Sequence, residues 1–171
     1  MNEFTILMHL LSSKKDKIQI GATKEEILKA INIHDRNESI HFENFITHLS
    51  SYIEPLGLQI RFNPLSFCWY IAFDRYASDF FSANPFEGKP RLAATLFCTL
   101  ICCLKNLGIT KIQDIKDIRK KKFIIEDLKE LQNRGYIQLD EKLGKVSLTP
   151  LIGYQLDLNK VFVKLALKVK D

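Results

Sequence analysis

The sequence predicts a mainly α chain with small β wings, an α+β class, and three observations carry that expectation. One order of elements occurs twice. In the first half an apolar helix over Phe4–Leu11 leads to Thr23–Ile31 and Ser39–Ile53, then to β-rich runs at Leu58–Arg61 and Phe67–Phe73. In the second half Leu92–Leu107 leads to Thr110–Ile118 and Lys120–Arg134, then to Tyr136–Leu139 and Lys145–Leu148. A capping-box pattern opens the second helix of each half: Thr23-Lys-Glu-Glu26 and Thr110-Lys-Ile-Gln113. Turn residues follow the longer helix of each half and punctuate the two β-rich runs after it. Helix, helix, helix and a two-stranded ribbon is the winged-helix plan, so tandem winged-helix domains are the expected architecture.

The elements can be justified in order. The first domain is expected over residues 1–73. Its third helix carries Phe42, Phe45, Ile46, Leu49 and Ile53, an i, i+3, i+4, i+7, i+11 stripe that buries one face. Pro55 and Gly57 stop that helix. Leu58–Phe62 and Phe67–Phe73 flank the turn signal Asn63-Pro64-Leu65-Ser66 and read as a hairpin. Residues 74–90 form a linker, with a short amphipathic helix over Asp74–Ser82, and Pro90 suits the first turn of the next helix.

The second domain is expected over 91–150. Ile124, Leu128 and Leu131 repeat the stripe, and Gly135 takes the position after the helix end. Glu141–Gly144 is the turn of the second wing. Residues 151–171 form a C-terminal extension in which Val161, Val163, Leu165, Leu167 and Val169 alternate like a strand among good helix formers, leaving helix or strand open.

Charge separates the halves. Residues 1–83 hold 8 Lys and Arg against 10 Asp and Glu, whereas residues 84–171 hold 17 against 10. Only the second half has the electrostatic character of a polyanion binder. The apolar stretch Met1–Leu11 lacks a basic region and a cleavage site, so no signal peptide is expected. The longest apolar run, Leu92–Leu104, is shorter than the ~18–20 residues a bilayer span requires. The expected location is the cytoplasm.

Catalytic and metal chemistry lack a motif. No nucleophile–base pattern or phosphate-cradling glycine loop occurs. Cys98, Cys102 and Cys103 share one apolar helix and, with Cys68, read as small buried hydrophobes. His34, His41 and His48 recur every seventh residue, but seven residues advance a helix by about 10 Å, so His41 and His48 cannot share one ion. No enzyme activity, cofactor or metal is expected.

Two kinds of surface remain. The third helix of a winged helix enters the major groove when it reads DNA. In the first half that helix has no Lys or Arg and shows Ile40, Asn44, Thr47 and Ser51 outward, near Glu43 and Glu54. Without phosphate-neutralising charge it is not expected to read DNA. In the second half Lys116 and the cluster Arg119, Lys120, Lys121 and Lys122 are the expected DNA contacts, placed at the start of the third helix. Glu126 and Glu130 on its outward face oppose docking of the whole helix. Leu92–Leu107 is apolar nearly all round, so Phe97, Ile101 and Leu104 are expected to meet a partner. Phe62, Phe67, Trp69 and Tyr70 on the first wing are the other expected partner-binding anchors.

One family matches these motifs. Leu92-Ala-Ala94, Leu96, Leu100 and Ile101, then Ile109-Thr110, Ile112, Ile115 and Ile118-Arg119, resemble the second winged helix of the ScpB family. Leu128–Leu131 followed by Arg134-Gly135-Tyr136-Ile137 is similar to that family's entry into its wing. Tyr52, Gly57-Leu58 and Trp69-Tyr70-Ile71 resemble its first wing, so the similarity spans roughly residues 40–140. Gly108 stands where the family usually has Pro, and Lys120 where it has Gly. The family belongs to the KITE proteins, the tandem winged-helix subunits of SMC complexes. The resemblance therefore implies a non-enzymatic homodimer that binds a kleisin subunit within an SMC ATPase complex for chromosome condensation and segregation, with an auxiliary DNA contact. A winged-helix transcription regulator and an ESCRT-II-like scaffold share the plan and are the rival expectations.

Overall fold

The computed structural model describes residues 2–16, 18–33, 37–74, 76–77, 85–158, 161 and 163. It divides into two compact units, Met1–Ser82 and Ala83–Asp171. Each unit is a winged helix, and the chain is α+β.

In the first unit, helix α1 (Glu3–Ser12) begins where the Asn2 side chain accepts a hydrogen bond from the Phe4 amide at 3.2 Å. Strand β1 (Ala22–Thr23) runs directly into α2 (Lys24–Ala30). The expected capping box closes there: the Glu26 amide donates to Thr23 Oγ1 at 3.3 Å, and the Thr23 amide donates to Glu26 Oε2 at 2.8 Å. Helix α3 (Glu38–Ile53) passes through a 3-10 turn containing Pro55 and stops at Gly57, whose φ of 72° is left-handed. Strands β2 (Leu58–Asn63) and β3 (Cys68–Phe73) form the wing. The core gathers Leu7, Leu11, Ile27, Leu28, Phe42, Leu49 and Ile53, with Phe45, Ile46 and Trp69 half-buried against it.

The expected two-stranded ribbon is in fact a three-stranded antiparallel sheet in each unit, in the order β1-β3-β2 in the first. Ala22 pairs with Trp69 and Thr23 with Cys68. A two-residue strand is too short to show alternation, so its pattern is invisible in sequence. Gly21 makes the approach feasible: its φ is 86°, and a Cβ there would lie 2.0 Å from the Trp69 carbonyl oxygen.

The second unit repeats the plan with α4 (Pro90–Lys105), β4 (Ile109–Lys111), α5 (Ile112–Arg119), α6 (Ile124–Asn133), β5 (Ile137–Asp140), β6 (Lys145–Leu148) and α7 (Pro150–Gln155). Its sheet order is β4-β6-β5. Helix α4 packs on α5, α6, β4 and β6. Pro90 is its first residue, as expected. Helix α6 ends in a Schellman motif: the Gly135 amide donates to Gln132 at 2.8 Å and the Tyr136 amide to Leu131 at 3.0 Å.

Two expectations are corrected here. The second capping box does not form: Lys111, which has no side-chain acceptor, precedes the helix, and only the return half is present, Asp114 accepting from the Lys111 amide at 3.3 Å. Thr110 belongs to β4 and donates its hydroxyl to Asp114 at 3.0 Å, while Gln113 donates to Asp117. The third helix starts at Ile124 rather than Lys120, because Lys120 (φ 46°) and Phe123 (φ 65°) are both left-handed and break the helix. In the C-terminal extension, left open between helix and strand, residues 150–155 form α7 and Val161 and Val163 are helical. His34, Leu165, Leu167, Val169 and most of the linker helix lie outside the described residues.

Candidate functional site

The first unit holds an open groove of about 770 Å³ lined by Thr23, Lys24, Glu25, Phe42, Glu43, Ile46, Thr47, Phe62, Phe67 and Trp69. It lies between the start of α2, the outer side of α3 and the wing, the side a DNA-reading winged helix turns to its duplex. Aromatic rings crowd it. Trp69 meets Phe42 edge-on at 5.3 Å and Phe62 at 5.1 Å, and Phe62 meets Phe67 at 6.4 Å between centroids. Phe67 is 69% exposed, while Phe62 and Trp69 are half-buried. Tyr70 departs from the expected surface: it is 3% exposed, with the Arg61 guanidinium 5.9 Å from its ring, because alternation along β3 turns it to the opposite face from Trp69. It cannot anchor a partner from there.

Electrostatics at this groove oppose a nucleic acid. Lys24 supplies the positive charge among the described lining residues, and its ammonium donates to Ser39 Oγ at 2.8 Å and sits 5.4 Å from the Phe42 centroid. Glu25 and Glu43 stand beside it. The outward hydroxyls of α3 are also spent: Thr47 donates to the Glu43 carbonyl at 2.7 Å and Ser51 to the Thr47 carbonyl at 3.2 Å. That Phe42 and Ile46 also reach this surface was not legible in the sequence, because both belong to the stripe whose width suits a single buried face.

In the second unit α4 buries more polar side chains than its composition suggests. Thr95 and Thr99 point inward, fully buried, and Thr95 donates to Asp127 Oδ2 at 2.9 Å. This leaves Phe97 (43% exposed), Ile101 and Leu104 along one side. Leu107 and Ile109 extend the apolar exposure past the helix end, and neither was among the expected anchors. The helix ends there because Leu107 (φ 55°) and Gly108 (φ 96°) are left-handed. The Gly108 amide donates to the Cys103 carbonyl at 2.7 Å, a conformation and a bond that proline could not provide.

The basic cluster has a different setting from the expected one. Lys116 and Arg119 end α5, and Lys120, Lys121 and Lys122 form the loop before α6. The dipole of α5 therefore favours the two cations of its last turn, reversing the sign expected for a helix start. Among the described residues no carboxylate pairs with Lys116, Lys120, Lys121 or Lys122. With Phe123, Ile124, Ile125 and Glu126 these lysines line an open cavity of about 360 Å³. On α6 itself, Lys129 is paired with Glu141 at 3.0 Å and Glu130 with Lys89 and Arg134, so that face offers little free positive charge.

Burial pushes the Cys103 thiol up to about 12 and raises that of Cys102, which makes both poor nucleophiles at neutral pH. Among the described residues no group of three or more His, Cys, Asp or Glu converges as a metal site, and no helix is long and apolar enough to cross a membrane.

No protein-family model matches the chain, and no curated protein matches it in sequence. Among solved structures, ScpB from Mycobacterium tuberculosis is similar to it, at 14% identity and a TM-score of 0.32, over 86% of this chain and 88% of that one. A likeness at that score assigns neither a partner nor a role to any residue.

Proposed function

We propose that the protein is a non-enzymatic, kleisin-binding subunit of an SMC-type complex that organises chromosomes. It acts by protein–protein contact, as a homodimer, within the nucleoid. The carrying observation is the groove of the first unit: the side that would face a duplex is lined by Phe42, Phe62, Phe67 and Trp69 with Glu25 and Glu43 beside them. Such a surface suits the apolar face of a protein segment and repels phosphates. The kleisin as occupant comes from the motifs around Leu92-Ala-Ala94, Ile109-Thr110 and Arg134-Gly135, which resemble the ScpB family. The side of α4 carrying exposed Phe97 and Leu104 and half-buried Ile101 supplies the dimer contact, and Lys116, Lys120, Lys121 and Lys122, paired with no carboxylate among the described residues, an auxiliary DNA contact.

Co-purification with the kleisin encoded by the same source tests the proposal, with the molar mass of the chain measured by light scattering. The expected result is a stable complex and a dimeric mass that Phe97→Glu with Leu104→Glu converts to a monomer. A monomer that retains no kleisin would overturn it.

A further inference from the structure

We propose that the loop between α5 and α6 is a single-strand nucleic-acid contact, with Phe123 stacking on a base and Lys116, Lys120, Lys121 and Lys122 following the phosphates. It deepens the auxiliary DNA contact and rests on that part of the proposed function, not on kleisin docking. The geometry begins with two left-handed residues. Lys120 at φ 46° and Phe123 at φ 65° reverse the chain on either side of Lys121 and Lys122. Bulky L-residues adopt this conformation at a cost, and here the result places a phenyl ring outward, 59% exposed, among lysines. The ring is held in place. The Arg91 guanidinium lies 5.7 Å from its centroid and is itself anchored to buried Asp127 at 2.9 Å.

A solvent-facing aromatic ring beside lysines that no carboxylate pairs among the described residues matches the way proteins grip unpaired strands, where every base offers a face to stack on. A duplex hides those faces, and Glu126 at the start of α6 disfavours seating that helix in its groove. An acidic peptide would use the lysines but gain little from the ring, so the ring decides between the two.

Fluorescence anisotropy of the full chain with a labelled 20-nucleotide oligothymidine and a 20-bp duplex, at 50 and 200 mM salt, tests this. The oligonucleotide should bind at least about tenfold more tightly than the duplex. Its affinity should fall with salt at a logarithmic slope near ~−3, from about four phosphate contacts. Phe123→Ala should weaken oligonucleotide binding about tenfold with the duplex unchanged, and Phe123→Tyr should restore it. Lys121→Ala with Lys122→Ala should flatten the slope by about 1.4. Equal affinity for both forms would overturn the single-strand assignment while leaving an auxiliary DNA contact standing. Wild-type binding by Phe123→Ala would overturn the stacking role. Binding to neither form would overturn both, and equal displacement by polyglutamate at matched charge would reassign the loop to acidic proteins.

Discussion

Asp127 is buried with one hydrogen bond from α4, the Thr95 hydroxyl donating to Oδ2 at 2.9 Å, and an ion pair with the Arg91 guanidinium, 2.9 Å from an Oδ1 that accepts no hydrogen bond. Removing the carboxylate takes away a charge-assisted hydrogen bond, leaving the Thr95 hydroxyl only the Arg91 carbonyl at 3.1 Å, and removes the ion pair that positions Arg91 over Phe123. Asp127→Ala should therefore cost about 2–3 kcal/mol in a urea titration. Glu26 gives a pH prediction instead. The Lys15 ammonium and the Thr23 amide hold its carboxyl below the ordinary value of 4.5. A depressed folded-state value means its contribution is full above about pH 4.5 and disappears as pH falls through the lowered value. The group is largely exposed, so the effect is small. Glu26→Gln should remove that acid-side loss of stability, seen as a flatter dependence of melting temperature below pH 4.5.

At the scale of elements, Gly21 connects a loop to β1 at a spacing that admits no side chain. Gly21→Ala should cost on the order of 3 kcal/mol or more, because the Trp69 carbonyl must move and the residue must keep a positive φ. Lys120 is the opposite case. It holds a left-handed helix end whose amide still donates to Lys116 at 2.9 Å, so Lys120→Gly should stabilise the chain by about 1 kcal/mol in thermal unfolding. The long helices and both hairpins were legible because their apolar periodicity extends over many residues. Two-residue β1 and three-residue β4 carry too little pattern, and they became visible only through pairing with the wing. The start of α6 was misplaced because Lys120–Phe123 contains no Gly or Pro to announce a break. The inward turn of Thr95 and Thr99 was hidden because their partners are distant in sequence or on the helix backbone itself.

For the whole molecule, charge and apolar surface are distributed unequally between the two units. The anionic first unit carries an aromatic groove, and the cationic second unit carries a lysine-rich loop and an apolar helix side. The basic cluster and the aromatic wing were both legible as residue types, but only coordinates separated Tyr70 from its exposed neighbours. A segment docking in the groove would bury apolar rings, so its binding should show a negative heat-capacity change. Calorimetric titration of the central segment of the kleisin proposed as its partner into the chain, at several temperatures, addresses the proposed protein-docking role most directly. Saturable binding with a negative heat-capacity change is predicted, weakened at least about tenfold by Phe67→Asp at the exposed rim of the groove. Absence of binding, or an affinity unchanged by Phe67→Asp, would contradict it.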